Sequence, residues 1–186
     1  MNKSLDALFV VAFFILDRIL QTVFPVDFEL RRLFFVSNMG LVALMVVLHK
    51  RSLSEMLILA FISGLVLDIS HYGYFLMDAV SFTFTLWVVR VWSNQVNDSV
   101  VELAILSILT IFIHESVVFT LLRILSMTQL SVLNWFVYRE FLTLVIHIPL
   151  ILFILALNHA RLGLLNQREV SKQRAEDPLF MSLKKR

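Results

Sequence analysis

The sequence predicts an all-α, polytopic membrane protein, a compact bundle of about six transmembrane helices. Three observations favour this class: 59% of the 186 residues are apolar, only 16% are charged, and the chain holds just four Gly and three Pro. A water-facing domain averages about 45–50% apolar and about 25% charged residues. The excess of apolar side chains therefore indicates contact with lipid, and the scarcity of turn residues favours long helices over a β-barrel.

Six apolar segments are candidates for membrane-spanning helices, since a helix needs roughly 17–25 apolar residues to cross the hydrocarbon core. They cover residues 5–24, 33–48, 54–69, 75–92, 100–125 and 141–158. The second and third segments are short, so a tilted or partly re-entrant path stays open for both. We assign residues 1–159 to a six-helix transmembrane domain and residues 160–186 to a basic cytoplasmic tail.

The distribution of basic residues predicts the orientation of the bundle. Six spans place both termini on one side, and that side then receives Lys3, Lys50, Arg51, Arg90 and seven residues of the tail, eleven in all. The opposite side receives four, namely Arg31, Arg32, Arg123 and Arg139. The positive-inside rule therefore predicts a multi-pass protein with its N- and C-termini in the cytoplasm.

Ionisable residues inside the spans are concentrated towards the outer side of the membrane in this orientation, and the inner halves of the spans are almost purely apolar. Such a residue costs roughly 2.5–3.5 kcal/mol on insertion scales, so each is expected to face the bundle interior or a hydrated cavity. The predicted outer polar cluster consists of Asp17, Arg18, Asp78, His114, Glu115, Arg123, Arg139, Glu140 and His147. Two interpretations stay open: ion pairs that fix helix register, or an outward-facing pocket or partner-docking site.

Helical spacing arranges many of these residues in stripes on single helix faces. The stripes are Asp78, Ser81 and Thr85; Ser107, Thr110 and His114; and Glu140, Thr143 and His147. On the third span Ala60, Gly64 and Asp68 recur at every fourth position. Small residues at this spacing allow two helices to approach closely.

The sequence carries no recognisable catalytic or cofactor-binding motif, and we expect no enzyme activity, metal or cofactor. His114-Glu115 begins like a zinc-protease helix, but Val118 stands where the second His is required. The chain has no Cys, which excludes thiolate ligands and cysteine nucleophiles. A Gly-rich phosphate loop and a serine elbow motif are both absent from the sequence.

The segment from Gly64 to Ala79, GLVLDISHYGYFLMDA, resembles the rod shape-determining membrane protein family, MreD. In that family a helix that begins with Gly and ends in Asp is followed by a short Gly turn and another helix. The chain length, six spans and basic tail are also similar. Gly64 and Asp68 are the family-motif residues carried over. In helix packing, Gly64 is expected to permit close helix contact, and Asp68 is expected to cap or brace the outer turn before the fourth helix.

The resemblance implies a non-enzymatic scaffold of the bacterial cell-elongation machinery, which maintains rod shape and directs peptidoglycan synthesis. It implies location in the cytoplasmic (inner) membrane. The expected partner is an MreC-like single-span protein with a large external domain, with cell-wall elongation enzymes as indirect partners. No nucleic acid partner is expected.

An alternative is the substrate-binding S component of an energy-coupling-factor vitamin transporter. Those proteins are also small six-helix bundles, and their ligand sits in an outer pocket, where this chain concentrates its polar residues. They typically present an Ala-x-x-x-Ala motif on the first helix. Here Val11 stands four residues after Ala7, and Ala12 comes one place late, so the motif is missing.

Overall fold

The computed structural model describes residues 3–23, 35–70, 76–93, 95–96 and 99–176. Every regular element in these ranges is a helix, which confirms the all-α prediction. The helices are α1 (Lys3–Val23), α2 (Met39–Leu48), α3 (Leu53–Ser70), α4 (Met77–Ser93), α5 (Val100–Ile124), α6 (Val132–Trp135) and α7 (Phe141–Glu176). A π-helical turn, Phe136–Glu140, joins α6 to α7.

The short helix α2 lies at the centre of the bundle. It packs against α1, α5 and α7, and all of its residues except Val47 are buried. A helix that is apolar on every face is typical of a protein core or a membrane span, and here the neighbouring helices cover it. With 10 residues, α2 is about 15 Å long, roughly half the thickness of a bilayer core.

The second predicted span, 33–48, therefore differs from the structure. The helix begins only at Met39, and the preceding residues Phe35 to Asn38 are not helical although all four are buried. Backbone of this kind is tolerated at membrane depth only where protein surrounds it and satisfies its polar groups. Residues 33 and 34 lie outside the described ranges.

Several helices bury polar residues next to the apolar core and leave large apolar side chains exposed, which is unusual for a helix in a water-soluble protein. On α5, Val101 and Ile105 are 66% and 62% exposed, whereas Thr110 and Glu115 are buried. All the striped residues other than the half-buried Asp78 are buried: Ser81, Thr85, Ser107, Thr110, His114, Glu140, Thr143 and His147. The stripes therefore face the interior, as the spacing predicts.

Two helical segments among the described residues are long and apolar enough to cross a membrane, Val100–Ile124 and Val132–Gln167. The second combines α6, the π-helical turn and most of α7, so residues 132–140, between the fifth and sixth predicted spans, are helical. Helix α7 continues to Glu176 without a break at the predicted domain boundary between residues 159 and 160. The last ten residues of the predicted tail, 177–186, lie outside the described ranges.

Candidate functional site

The candidate site is a buried polar network around the start of α2. A helix leaves its first backbone N–H groups without intrahelical acceptors. Asp17 of α1 supplies them: its Oδ1 lies 2.9 Å from the Met39 nitrogen and its Oδ2 lies 2.7 Å from the Gly40 nitrogen. It also accepts a hydrogen bond from the Ser37 hydroxyl. A carboxylate is well suited to this position, because the helix dipole favours negative charge there.

Helix α7 provides hydrogen-bond acceptors for backbone N–H groups of the non-helical residues before α2. The Asn38 backbone nitrogen donates to His147 Nε2 at 3.1 Å, and the Val36 nitrogen donates to Thr143 Oγ1 at 3.4 Å. Because Nε2 accepts this bond, the proton of the neutral ring is on Nδ1, which donates to the Thr143 carbonyl at 2.7 Å. These bonds hold the segment between α1 and α7.

An ion pair between α5 and the π-helical turn completes the network. Arg139 Nε and Nη2 each lie 2.7 Å from Glu115 Oε2. The other oxygen of Glu115 accepts from Asn38 Nδ2 at 2.8 Å. The Glu115 side chain is only 1% exposed, so each donor replaces water that a carboxylate otherwise requires.

Glu140 is the least satisfied member of this network. It is 0% exposed, and neither carboxylate oxygen has a hydrogen-bond partner among the described residues. It adjoins Arg139 in the π-helical turn, an irregularity frequently found at functional sites. A buried carboxylate without a donor is costly, and it is the group here with capacity left for a ligand.

A second group of predicted residues connects α1, α3 and α4. Asp68 at the end of α3 accepts from the backbone nitrogens of Asp78 and Ala79 at 2.9 and 3.0 Å, so it caps the start of α4. Arg18 Nη2 donates to the Leu67 carbonyl at 3.1 Å. Gly64 explains the close packing, because a Cβ there would lie 2.4 Å from the Ala79 Cα.

Two predicted members of the outer cluster, His114 and Arg123, form no hydrogen bond to either of these two groups among the described residues. His114 is buried with its ring 5.1 Å from the ring of Phe82 on α4, and its Nδ1 has no hydrogen-bond partner within the described part of the chain. It directly precedes Glu115 on α5. Arg123 is exposed in the last turn of α5, and the structure places it outside the network.

The opposite end of the bundle contains a polar network that the sequence analysis missed. The Asp6 carboxylate accepts hydrogen bonds from Arg51 Nη2 at 2.7 Å and from Arg161 Nη1 at 2.9 Å. Arg161 also donates to Asn158 at 2.7 Å, and Arg51 pairs with Glu55. The apolar pattern of the spans did not indicate this network, because Arg51 and Arg161 lie outside the predicted spans and α7 continues beyond residue 158 and buries Arg161.

No group of three or more His, Asp or Glu residues that could hold a metal ion is present in the described ranges. Comparisons with protein-family models, with curated proteins and with solved structures found no match to this chain. The resemblance to the MreD family therefore stays a prediction from the sequence.

Proposed function

We propose that the chain is a non-enzymatic integral membrane scaffold of the bacterial cell-elongation machinery. In this proposal it crosses the cytoplasmic membrane six times, with both termini in the cytoplasm. The observation that carries the membrane part is the inverted burial on α5, where Ile105 faces outwards and Glu115 inwards. The elongation part is supported by the motif from Gly64 to Ala79.

The use of the polar residues supports a structural role. Asp17, Glu115 and His147 accept hydrogen bonds from the segment before α2 and from the start of that helix. Both carboxylate oxygens of Asp68 accept hydrogen bonds from backbone nitrogens at the start of α4. A bundle fixed in this way offers rigid outer faces, and their exposed apolar side chains suit a partner helix in the bilayer.

Affinity purification from native membranes in mild detergent, followed by mass spectrometry, tests the proposal. We expect recovery of an MreC-like single-span protein with a large external domain, together with cell-wall elongation enzymes. Reproducible recovery of an unrelated complex would refute the scaffold proposal.

Asp68→Asn provides a sharper version of this test. The amide keeps the shape but offers one acceptor oxygen in place of the two that now cap α4, and we expect reduced partner recovery and altered cell shape. Glu55→Gln is the matched control, because it neutralises a carboxylate at the other end of the same helix. Normal rod growth of Asp68→Asn at normal expression would count against a role for this carboxylate.

One observation favours the S-component alternative, namely that two buried members of the predicted outer cluster, Glu140 and His114, have polar atoms without a hydrogen-bond partner among the described residues. A small ligand with hydrogen-bond donors would satisfy Glu140. In that case the purification would recover a membrane coupling subunit with paired ATPases, and a small molecule would be retained by the protein. Recovery of those subunits would replace the scaffold with vitamin uptake.

A further inference from the structure

A cavity of about 200 Å³ lies at the end of the bundle where α1 begins. Its walls come from the end of α2, the start of α5 and the middle of α7, with Asp6 contributed by α1. This is the end opposite to the network around Asp17 and Glu115. The cavity is therefore separate from the candidate site described above.

One wall of the cavity is basic and held in place. The Arg161 guanidinium is fixed by Asp6 at 2.9 Å and Asn158 at 2.7 Å, and it lies 4.8 Å from the centre of the Phe9 ring. Its Nε is buried and has no hydrogen-bond partner among the residues that the structure describes. Because that nitrogen is buried, what Arg161 offers an anion in the cavity is a positive charge held in a fixed position, and arginine is a common partner of phosphate groups.

Two further basic side chains line the same cavity from exposed positions. Lys50 follows the end of α2, and His159 lies on α7 two residues before Arg161. Asp6 is the acidic residue of the lining, and it is already paired with both Arg51 and Arg161. The lining therefore favours an anionic group.

The other wall of the cavity is apolar and reaches the bundle surface. Val100 and Leu162 line it and remain 52% and 43% exposed. Leu103 and Leu155 continue this wall inwards and are buried. A ligand in this position would place an anionic group against Arg161 and hydrocarbon against Val100 and Leu162, so the cavity suits an amphiphile better than a small soluble anion.

We infer that this cavity binds the phosphate group of an anionic phospholipid from the membrane leaflet at that end of the bundle. The inference rests on the proposed membrane insertion, which places Lys50 and Arg161 at the cytoplasmic surface. Basic pockets between helices on this side bind the head groups of anionic lipids in membrane proteins generally. Leu162 and Val100 then face the acyl chains.

Native mass spectrometry of the purified full chain tests the lipid site by titration with phosphatidylglycerol or phosphatidylcholine. We expect tighter binding of the first phosphatidylglycerol. The variant Lys50→Gln/His159→Gln should weaken that binding about fivefold, the effect expected for one cation near an anionic head group. It keeps Arg161 with its partners, so folding is preserved. Arg123→Gln, which removes an exposed cation at the other end of the bundle, should leave the affinity unchanged.

Three results would overturn the lipid site. The first is equal affinity of the wild type for the two lipids. The second is a loss of affinity in Arg123→Gln as large as that in Lys50→Gln/His159→Gln. The third is displacement of the lipid by free glycerol 3-phosphate at the same concentration as phosphatidylglycerol. The last result would identify a soluble phosphate as the ligand. Alkaline carbonate extraction checks membrane insertion separately, because release of the chain would refute the proposed function. If the chain stays in the membrane but binds phosphatidylglycerol and phosphatidylcholine equally, only the lipid site is refuted.

Discussion

The ion pair between Glu115 and Arg139 provides a quantitative test of the buried network. Arg139→Gln removes the guanidinium that lies 2.7 Å from Glu115 Oε2. Glu115 then keeps Asn38 as its remaining donor in the network, in a position where its side chain is 1% exposed. Breaking a buried pair from one side costs about 3–5 kcal/mol, because an uncompensated charge stays behind.

The variant Glu115→Gln/Arg139→Gln separates the cost of the orphaned charge from the loss of packing. It removes both charges, and we expect it to recover most of the stability that Arg139→Gln loses. The interaction energy between the two sites should be at least about 2 kcal/mol, because the double variant loses much less stability than the two single variants together. Arg123→Gln is the matched control, and as an exposed substitution it should stay within about 0.5 kcal/mol of wild type.

Unfolding in mixed micelles, followed by tryptophan fluorescence, measures these differences. Trp135 is a local reporter, because its ring stacks on Phe119 with centroids 4.9 Å apart and it lies one helical turn before Arg139. In thermal scans, Arg139→Gln should lower the melting temperature by roughly 6–20 °C. The reasoning would be refuted if Arg139→Gln changes the melting temperature no more than Arg123→Gln does. It would also be refuted if the double variant loses as much stability as Glu115→Gln and Arg139→Gln lose together.

Two further predictions concern helix contacts. Gly64→Ala should lower the melting temperature by an amount equivalent to about 1–3 kcal/mol, because its Cβ would lie 2.4 Å from the Ala79 Cα. Gly163→Ala, where a Cβ meets nothing within 4 Å, should be neutral or stabilise by up to about 1 kcal/mol; equal losses in the two variants would contradict the packing argument. Asp17→Ala should destabilise by at least about 2 kcal/mol in the same unfolding assay, because it leaves two buried N–H groups at the start of α2 without acceptors. An unchanged midpoint for Asp17→Ala would show that α2 does not depend on this cap.

Periodicity predicted the faces of the helices well. In the stripe of Glu140, Thr143 and His147, all three residues are 0% exposed. This burial is the one expected in the proposed membrane setting, where lipid outside the bundle would force polar side chains inwards. The capping role of Asp68 also follows from its position between the two helices. What periodicity could not predict is which stripes meet, because that depends on the order of the helices around the bundle.

The missed features have identifiable physical causes. Helix α2 begins late because Asp17, from another helix, accepts from its first backbone N–H groups, and hydropathy alone does not show where this apolar segment becomes helical. Ser37-Asn38 before Met39 is a pattern typical of a helix start and could have indicated the boundary. The Asp6–Arg161 pair joins residues 155 positions apart, so hydropathy placed Arg161 in a tail and not in the bundle.

The insertion of the bundle in a membrane, with both termini in the cytoplasm, is tested most directly by cysteine labelling. The chain contains no Cys, so single-cysteine variants need no modified background. With a membrane-impermeant maleimide, Gln129→Cys, between α5 and α6, should react in intact cells. Ser52→Cys, before α3, and Ser171→Cys, in α7, should react only after the membrane is opened. Equal reaction of all three in intact cells, or reaction of Ser52→Cys without Gln129→Cys, would contradict the account.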